Sequence, residues 1–184
     1  MRNRKLYEKK RNERECVKHS LFVCERGVTM NKPVDLLEVA EAIDVDADEL
    51  HQFVNRKTGE VEVINEDALR KADWEKPHDE VNEWQKEERA LAEDIIENED
   101  DYEPIPDSYA INDYRLMEIF IDSLTDEKKQ ATLAQAIRGK GAFRRFKDRI
   151  IDLGVADDWY EFKDKEYLAF ARQWCEEKDI QYRE

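Results

Sequence analysis

The amino-acid sequence predicts a mainly α-helical fold with a minor β component (α+β), and three observations predict it. Charged residues make up 42% of the 184 residues, against roughly a quarter in an ordinary globular chain, an excess that suits long solvated helix faces. Only five glycines and four prolines are present, so turns are few and elements are long. Helix-start signals also recur, each a capping residue followed at the right spacing by a carboxylate and an apolar staple.

Taken in order, residues 1–29 form a basic N-terminal extension with nine Lys/Arg against four Asp/Glu. They lack a sustained apolar period and precede Met30, which reads as the biological start after a mis-annotated or disordered stretch; the rival reading is a real basic arm that binds an anionic partner. The next unit, residues 30–72, opens with two capping boxes. Asp35 and Glu38 cap a first helix near 36–43, with Val34 and Val39 as staple, and Asp46 and Glu49 cap a second near 47–55, with Val45 and Leu50. This predicts a small helix-turn-helix-shaped unit. Lys57-Thr58-Gly59-Glu60 then turns into a short strand, Val61 to Ile64.

Residues 73–103 carry fourteen acids against three bases, yet Val81, Trp84, Leu91 and Ile95 fall on one helical face. The expectation is an acidic amphipathic linking helix whose end, Glu97 to Glu103, frays into a loop closed by Pro104 and Pro106. Residues 104–184 form a C-terminal helical module. Asn112 caps a helix carrying Leu116, Met117, Phe120 and Ile121. Thr125 caps the next, which holds Leu133 and Ile137 and stops at Gly139. A third runs from about Ala142 to Leu153 on a stripe of Phe143, Phe146, Ile150 and Leu153, and Gly154 ends it. Trp159-Tyr160-Glu161-Phe162 reads as a short strand or aromatic corner before a last helix from about Lys165, with Tyr167, Ala171 and Trp174 inward.

Several of these blocks are together familiar. Pro104-Ile105-Pro106, Tyr114-Arg115-Leu116-Met117-Glu118 and, most specifically, Gly139-Lys140-Gly141-Ala142-Phe143-Arg144-Arg145-Phe146-Lys147-Asp148 resemble a bacterial family, uncharacterised protein family 0158. Trp159-Tyr160-Glu161-Phe162 and Trp174-Cys175-Glu176-Glu177 follow at matching spacing, and the Thr58-Gly59-Glu60-Val61 turn adds a weaker N-terminal match. The resemblance covers about residues 34–182 and implies no catalytic residue, because no activity is established for the family.

The charge pattern then excludes function classes. A net charge of −15 opposes general affinity for nucleic acid or anionic membranes. No apolar run reaches the roughly 18 residues a membrane span needs, so a cytoplasmic protein with no membrane partner is expected. Cys16, Cys24 and Cys175 have neither disulfide nor zinc spacing. His19, His51 and His78 lie in separate segments without a metalloprotease pair, nucleophile elbow or phosphate loop. Enzyme, cofactor and metal are not expected. Sequence-specific DNA reading is excluded too, since the second helix of the N-terminal unit would bring Asp46, Asp48 and Glu49 against phosphates.

One candidate binding surface remains. Arg138, Lys140, Arg144, Arg145, Lys147 and Arg149 lie close together with only Asp148 against them, and two glycines precede a helix start, where free N–H groups and the dipole favour an anion. Either these residues pair internally, with the acidic 93–107 segment or Glu176 and Glu177, or they take an anionic partner. The leading functional expectation is a non-enzymatic regulatory or protein-interaction protein recognising a protein partner. The alternative is an RNA-, nucleotide- or phosphate-binding protein acting through the basic segment 138–149.

Overall fold

The computed structural model describes residues 32–45, 49–73 and 83–184. The expectations for residues 1–29 and Met30, for Cys16, Cys24, His19 and His78, and for Asp46, Asp48, Val81 and the Trp84 side chain lie outside the described residues. The described elements are β1 (Val34–Asp35), α1 (Leu36–Asp44), β2 (Leu50–Asn55), β3 (Val61–Asn65), α2 (Glu66–Asp73), α3 (Glu83–Glu97), β4 (Tyr102–Pro104), α4 (Asp113–Ser123), α5 (Glu127–Ala136), α6 (Ala142–Asp152), α7 (Ala156–Glu177) and β5 (Tyr182–Arg183). The fold is mainly α with a small β component, as the composition predicts.

Helix α1 begins where its cap requires, with the Asp35 carboxylate accepting the Leu37 N–H at 3.0 Å. Its inner face, Leu36, Val39, Ala40 and Ile43, is buried in a core shared with Leu116, Met117, Phe120 and Ile121 of α4, Leu133 of α5, Phe146 and Ile150 of α6, and Trp159, Tyr167, Ala171 and Trp174 of α7. Around Trp159 the rings interlock edge to face, with centroids 4.8 Å from Phe146 and 5.3 Å from Phe120. A smaller core joins Ile64, Ala92, Ile95 and Tyr102, with Phe53 and Leu69 beside them. It seats α2 and α3 on the sheet.

That sheet corrects the N-terminal expectation. The second helix expected over 47–55 is instead a strand at Leu50–Asn55, so no helix-turn-helix stands there. The misleading spacing is Leu50 to Val54. Four residues return to one face of a helix, but four also return to one face of a strand. The Lys57–Glu60 turn settles the ambiguity by folding Leu50–Asn55 antiparallel onto Val61–Asn65, in the register Val54↔Val61, Gln52↔Val63 and Leu50↔Asn65. Gly59 has φ +70, and a Cβ on it would lie 2.4 Å from the Lys32 carbonyl oxygen. The chain entering β1 therefore lies against this turn.

Four further corrections follow. The acidic end at Glu97–Glu103 does not fray. Glu99–Asp101 form a 3-10 turn, and Tyr102–Pro104 pair with β2 on the side opposite β3. Cations neutralise the acids, with Lys57 2.5 Å from Asp101 and both Arg56 and Lys178 on Glu103 at 2.9 and 2.7 Å. Helix α5 is capped by Asp126, not Thr125, because its carboxylate accepts from both Lys128 and Lys129. Trp159–Phe162 lie inside α7, which runs unbroken from Ala156. Phe143 lies on the predicted stripe but outside the core and is 38% exposed, while Phe146 and Ile150 are fully buried.

The two ends of the described chain meet. β1 and β5 pair in parallel, Val34 against Tyr182 and Asp35 against Arg183, and the Val34 N–H donates to the Gln181 carbonyl at 2.9 Å.

Candidate functional site

The basic residues singled out in the sequence gather at the corner between α5 and α6, but not in equivalent roles. Helix α5 runs out at Ile137, and the chain turns through Gly139 and Gly141, both with positive φ. The last carbonyls of a helix have no partner within it. Arg145 supplies one from the first turns of α6. Its Nε donates to the Ala136 carbonyl at 3.0 Å, Nη1 to Lys140 at 2.7 Å, and Nη2 to Arg138 at 2.7 Å and Gly139 at 3.5 Å. The planar fork of donors suits this task, and a lysine could not span it. Gly141 permits the approach, since a Cβ there would lie 3.1 Å from Nη1 in a left-handed conformation costly to other residues.

The remaining five residues divide further. Arg149 pairs with Asp152 one turn on, at 2.9 Å and well exposed. Lys147 rests its ammonium 4.7 Å above the Phe143 ring. Among the described residues Arg138, Lys140 and Arg144 make no ion pair and no side-chain hydrogen bond. The internal pairing with the acidic 93–107 segment or with Glu176 and Glu177 is not formed. Glu103 and Asp101 are engaged by Arg56, Lys57 and Lys178, while Glu176 and Glu177 accept from Tyr182 and Gln173. Arg145 finds its internal partner in backbone carbonyls instead. Among the described residues the corner thus presents three unpaired cations beside a half-exposed ring, two on the loop tied by Arg145 and one, Arg144, in the first turn of α6.

A second surface was not singled out in the sequence. An open groove of about 520 Å³ runs between α1 and β3, lined by Glu38, Glu41, Val45, Glu60, Val61 and Val63 among others. Glu62 also borders it, and burial, reinforced by the Glu60 and Asp94 carboxylates, pushes its own carboxyl above the usual range. The alternation of Val61 and Val63 with Glu60 and Glu62 was the available signal. Its position at a sheet edge depends on strand order, which periodicity does not carry.

Elsewhere polar groups are tied into the fold. The Lys163 ammonium bridges Asp44, at 2.5 and 2.8 Å, and lies 4.7 Å over the Tyr167 ring, while the Tyr167 hydroxyl donates to Asp113 at 3.0 Å. This joins α1, α4 and α7. The Tyr102 hydroxyl donates to Asp94 and accepts from the Asn55 amide at 3.2 Å. His51 is exposed on β2, away from the tied groups. Cys175 is buried, and burial with the nearby Glu176 pushes its thiol up to about 11. Among the described residues no three His, Cys, Asp or Glu side chains are gathered as a metal ion requires, and no helix is long and apolar enough to cross a membrane.

Comparison with known proteins places these features in a lineage. A family profile described as "Uncharacterised protein family (UPF0158)" matches residues 32–183. A curated relative, a UPF0158 protein of Pseudomonas aeruginosa, is 30% identical over 67 residues, covering 36% of this chain and 44% of the relative. The chain therefore matches less than half the length of that relative. No solved structure matches.

Proposed function

The chain belongs to the Uncharacterised protein family (UPF0158), and we propose that it acts as a non-enzymatic regulatory protein that docks a protein partner at the α5–α6 corner. The observation that carries this reading is the division of labour among the arginines. Arg145 is spent on four backbone carbonyls, which fixes the loop. Among the described residues, Arg138, Lys140 and Arg144 are left without ion-pair partners on a chain of net charge −15. Cations beside an exposed phenyl ring, on a backbone tied by Arg145, suit an acidic protein segment, because the loop itself has little ordering entropy left to lose on binding. The reading sets the protein in the bacterial cytoplasm.

One observation favours a second reading. Helix α6 starts at Gly141 with no side chain capping its N–H groups, so a phosphate-bearing ligand such as RNA would meet donors and cations together. One experiment separates the two. Arg138→Glu, Lys140→Glu and Arg144→Glu combined should leave stability within about 0.5 kcal/mol, as exposed substitutions do, while abolishing partner capture from the native cytoplasm. Capture that survives nuclease supports the protein partner. Capture lost to nuclease and falling steeply with salt supports RNA. Unchanged capture by the triple variant excludes the corner.

A further inference from the structure

Among the described residues the outer edge of β3 carries no further strand. In the β2–β3 ladder the Asn55 N–H donates to the Glu60 carbonyl at 2.9 Å and the Glu66 N–H to the Glu49 carbonyl at 2.8 Å. Antiparallel pairs alternate between hydrogen-bonded and open. With the observed register, Glu60, Glu62, Ile64 and Glu66 therefore turn their backbone groups inward to β2. Val61 and Val63 turn theirs outward. In the strand order β3-β2-β4 nothing lies beyond β3, and no backbone hydrogen bond from the described residues reaches those outward groups. The groove against α1 runs along the same edge.

Side chains around that edge specify what it fits. On the α1 face, Val61 and Val63, the latter 50% exposed, stand with Val45 at 44%, below the exposed Glu38 and Glu41 of α1. On the opposite face, one residue out of phase, stand Glu60 and Glu62. None of the four glutamates makes an ion pair among the described residues. We infer that this edge is a docking site for an extended, lysine- or arginine-rich segment of a partner protein, added to the sheet as a fourth strand. Its backbone would satisfy the outward groups of Val61 and Val63, as in strand addition generally. Its alternate side chains would set cations across from Glu60 and Glu62 and apolar groups across from Val61 and Val63. This site is distinct from the cationic corner in place and in charge, so it stands or falls independently of the function proposed there.

A labelled short peptide of alternating Lys and Val, titrated into the full chain by fluorescence anisotropy, tests the inference. Binding is expected, with a Glu–Val peptide and a Lys–Val peptide N-methylated at alternate amides both failing. Val63→Pro removes only an outward donor, which an edge strand tolerates, and should abolish binding while leaving Tm near its original value. Combined Glu60→Lys and Glu62→Lys should weaken binding about fivefold, as lost exposed charge contacts do. Hydrogen exchange should show new protection at the Val61 and Val63 amides on binding. Equal binding by the methylated peptide or by Val63→Pro would overturn strand addition, and no binding would overturn the site. Protection already present in the free chain would also overturn it. If independent of concentration, that protection assigns the edge to the chain's own basic start, and if concentration-dependent, to a second copy.

Discussion

Arg144 and Arg145 are neighbours of the same type, both exposed, yet the structure assigns them opposite duties. Arg145 closes the end of α5 by donating to the carbonyls of Ala136, Arg138, Gly139 and Lys140, while Arg144 makes no ion pair and no side-chain hydrogen bond among the described residues. Arg145→Ala should lower stability by about 1–2 kcal/mol, the lower part of the range for charged hydrogen bonds because the corner is wet. Arg144→Ala should shift it by less than about 0.5 kcal/mol. Urea titrations of the two variants check the contrast, and equal midpoints would show that the guanidinium is not holding the loop. Sequence alone could place all six cations in one segment but could not make this distinction. Which arginine reaches back across a turn depends on the left-handed geometry at Gly139 and Gly141.

Helix α6 shows how far periodicity carries at the level of an element. Phe143, Phe146 and Ile150 share a helical face, and the helix ends beside Gly154 as expected. Only Phe146 and Ile150 find a core. Phe146 is packed edge to face against Phe120, at 6.3 Å and 87°, and against Trp159. Phe143, one turn earlier, has no ring partner among the described residues and carries Lys147 instead. Phe146→Ala should therefore cost about 3–5 kcal/mol, and Phe143→Ala less than about 1 kcal/mol, readable from thermal unfolding monitored by circular dichroism. The other helices follow the same rule. Helices α1 and α4 start at the predicted caps, Asp35 and Asn112, while α5, where Thr125 and Asp126 are both capping types, starts one residue later than predicted. Helix α7 is not legible in this way, since Val155 offers no capping side chain and the Trp159–Phe162 aromatics imitate a strand. The sheet was the least legible, because β4 is recruited from an acidic run whose charges are cancelled by Arg56, Lys57 and Lys178 from distant positions.

The molecule as a whole carries three groups that stay neutral chiefly because they are buried, with nearby carboxylates adding to the effect. Burial and then the Asp113 and Asp44 carboxylates push the Tyr167 hydroxyl upward, burial and Asp94 push Tyr102 upward, and Cys175 moves from 9.0 to about 11. All three bind their protons more tightly folded than unfolded. Their contribution is complete below pH 9 and declines as the unfolded chain ionises above it, first for Cys175 and then, from about pH 10, for the tyrosines. Urea midpoints should fall between pH 9 and pH 11, and Tyr167→Phe should flatten the upper part of that fall. An unaltered slope in the variant would remove Tyr167 from the account. The parallel pairing of β1 with β5 has a consequence of another kind, in time. Helix α1 leaves the ribosome well before the strand that anchors its start and the α7 residues that share a core with Leu36, Val39 and Ile43. At roughly 5–20 residues per second, that apolar face waits on the order of ten seconds for its cover, so the main core closes only once the chain has been made through Tyr182, and a chain stalled before that point is one a cell's chaperones must hold.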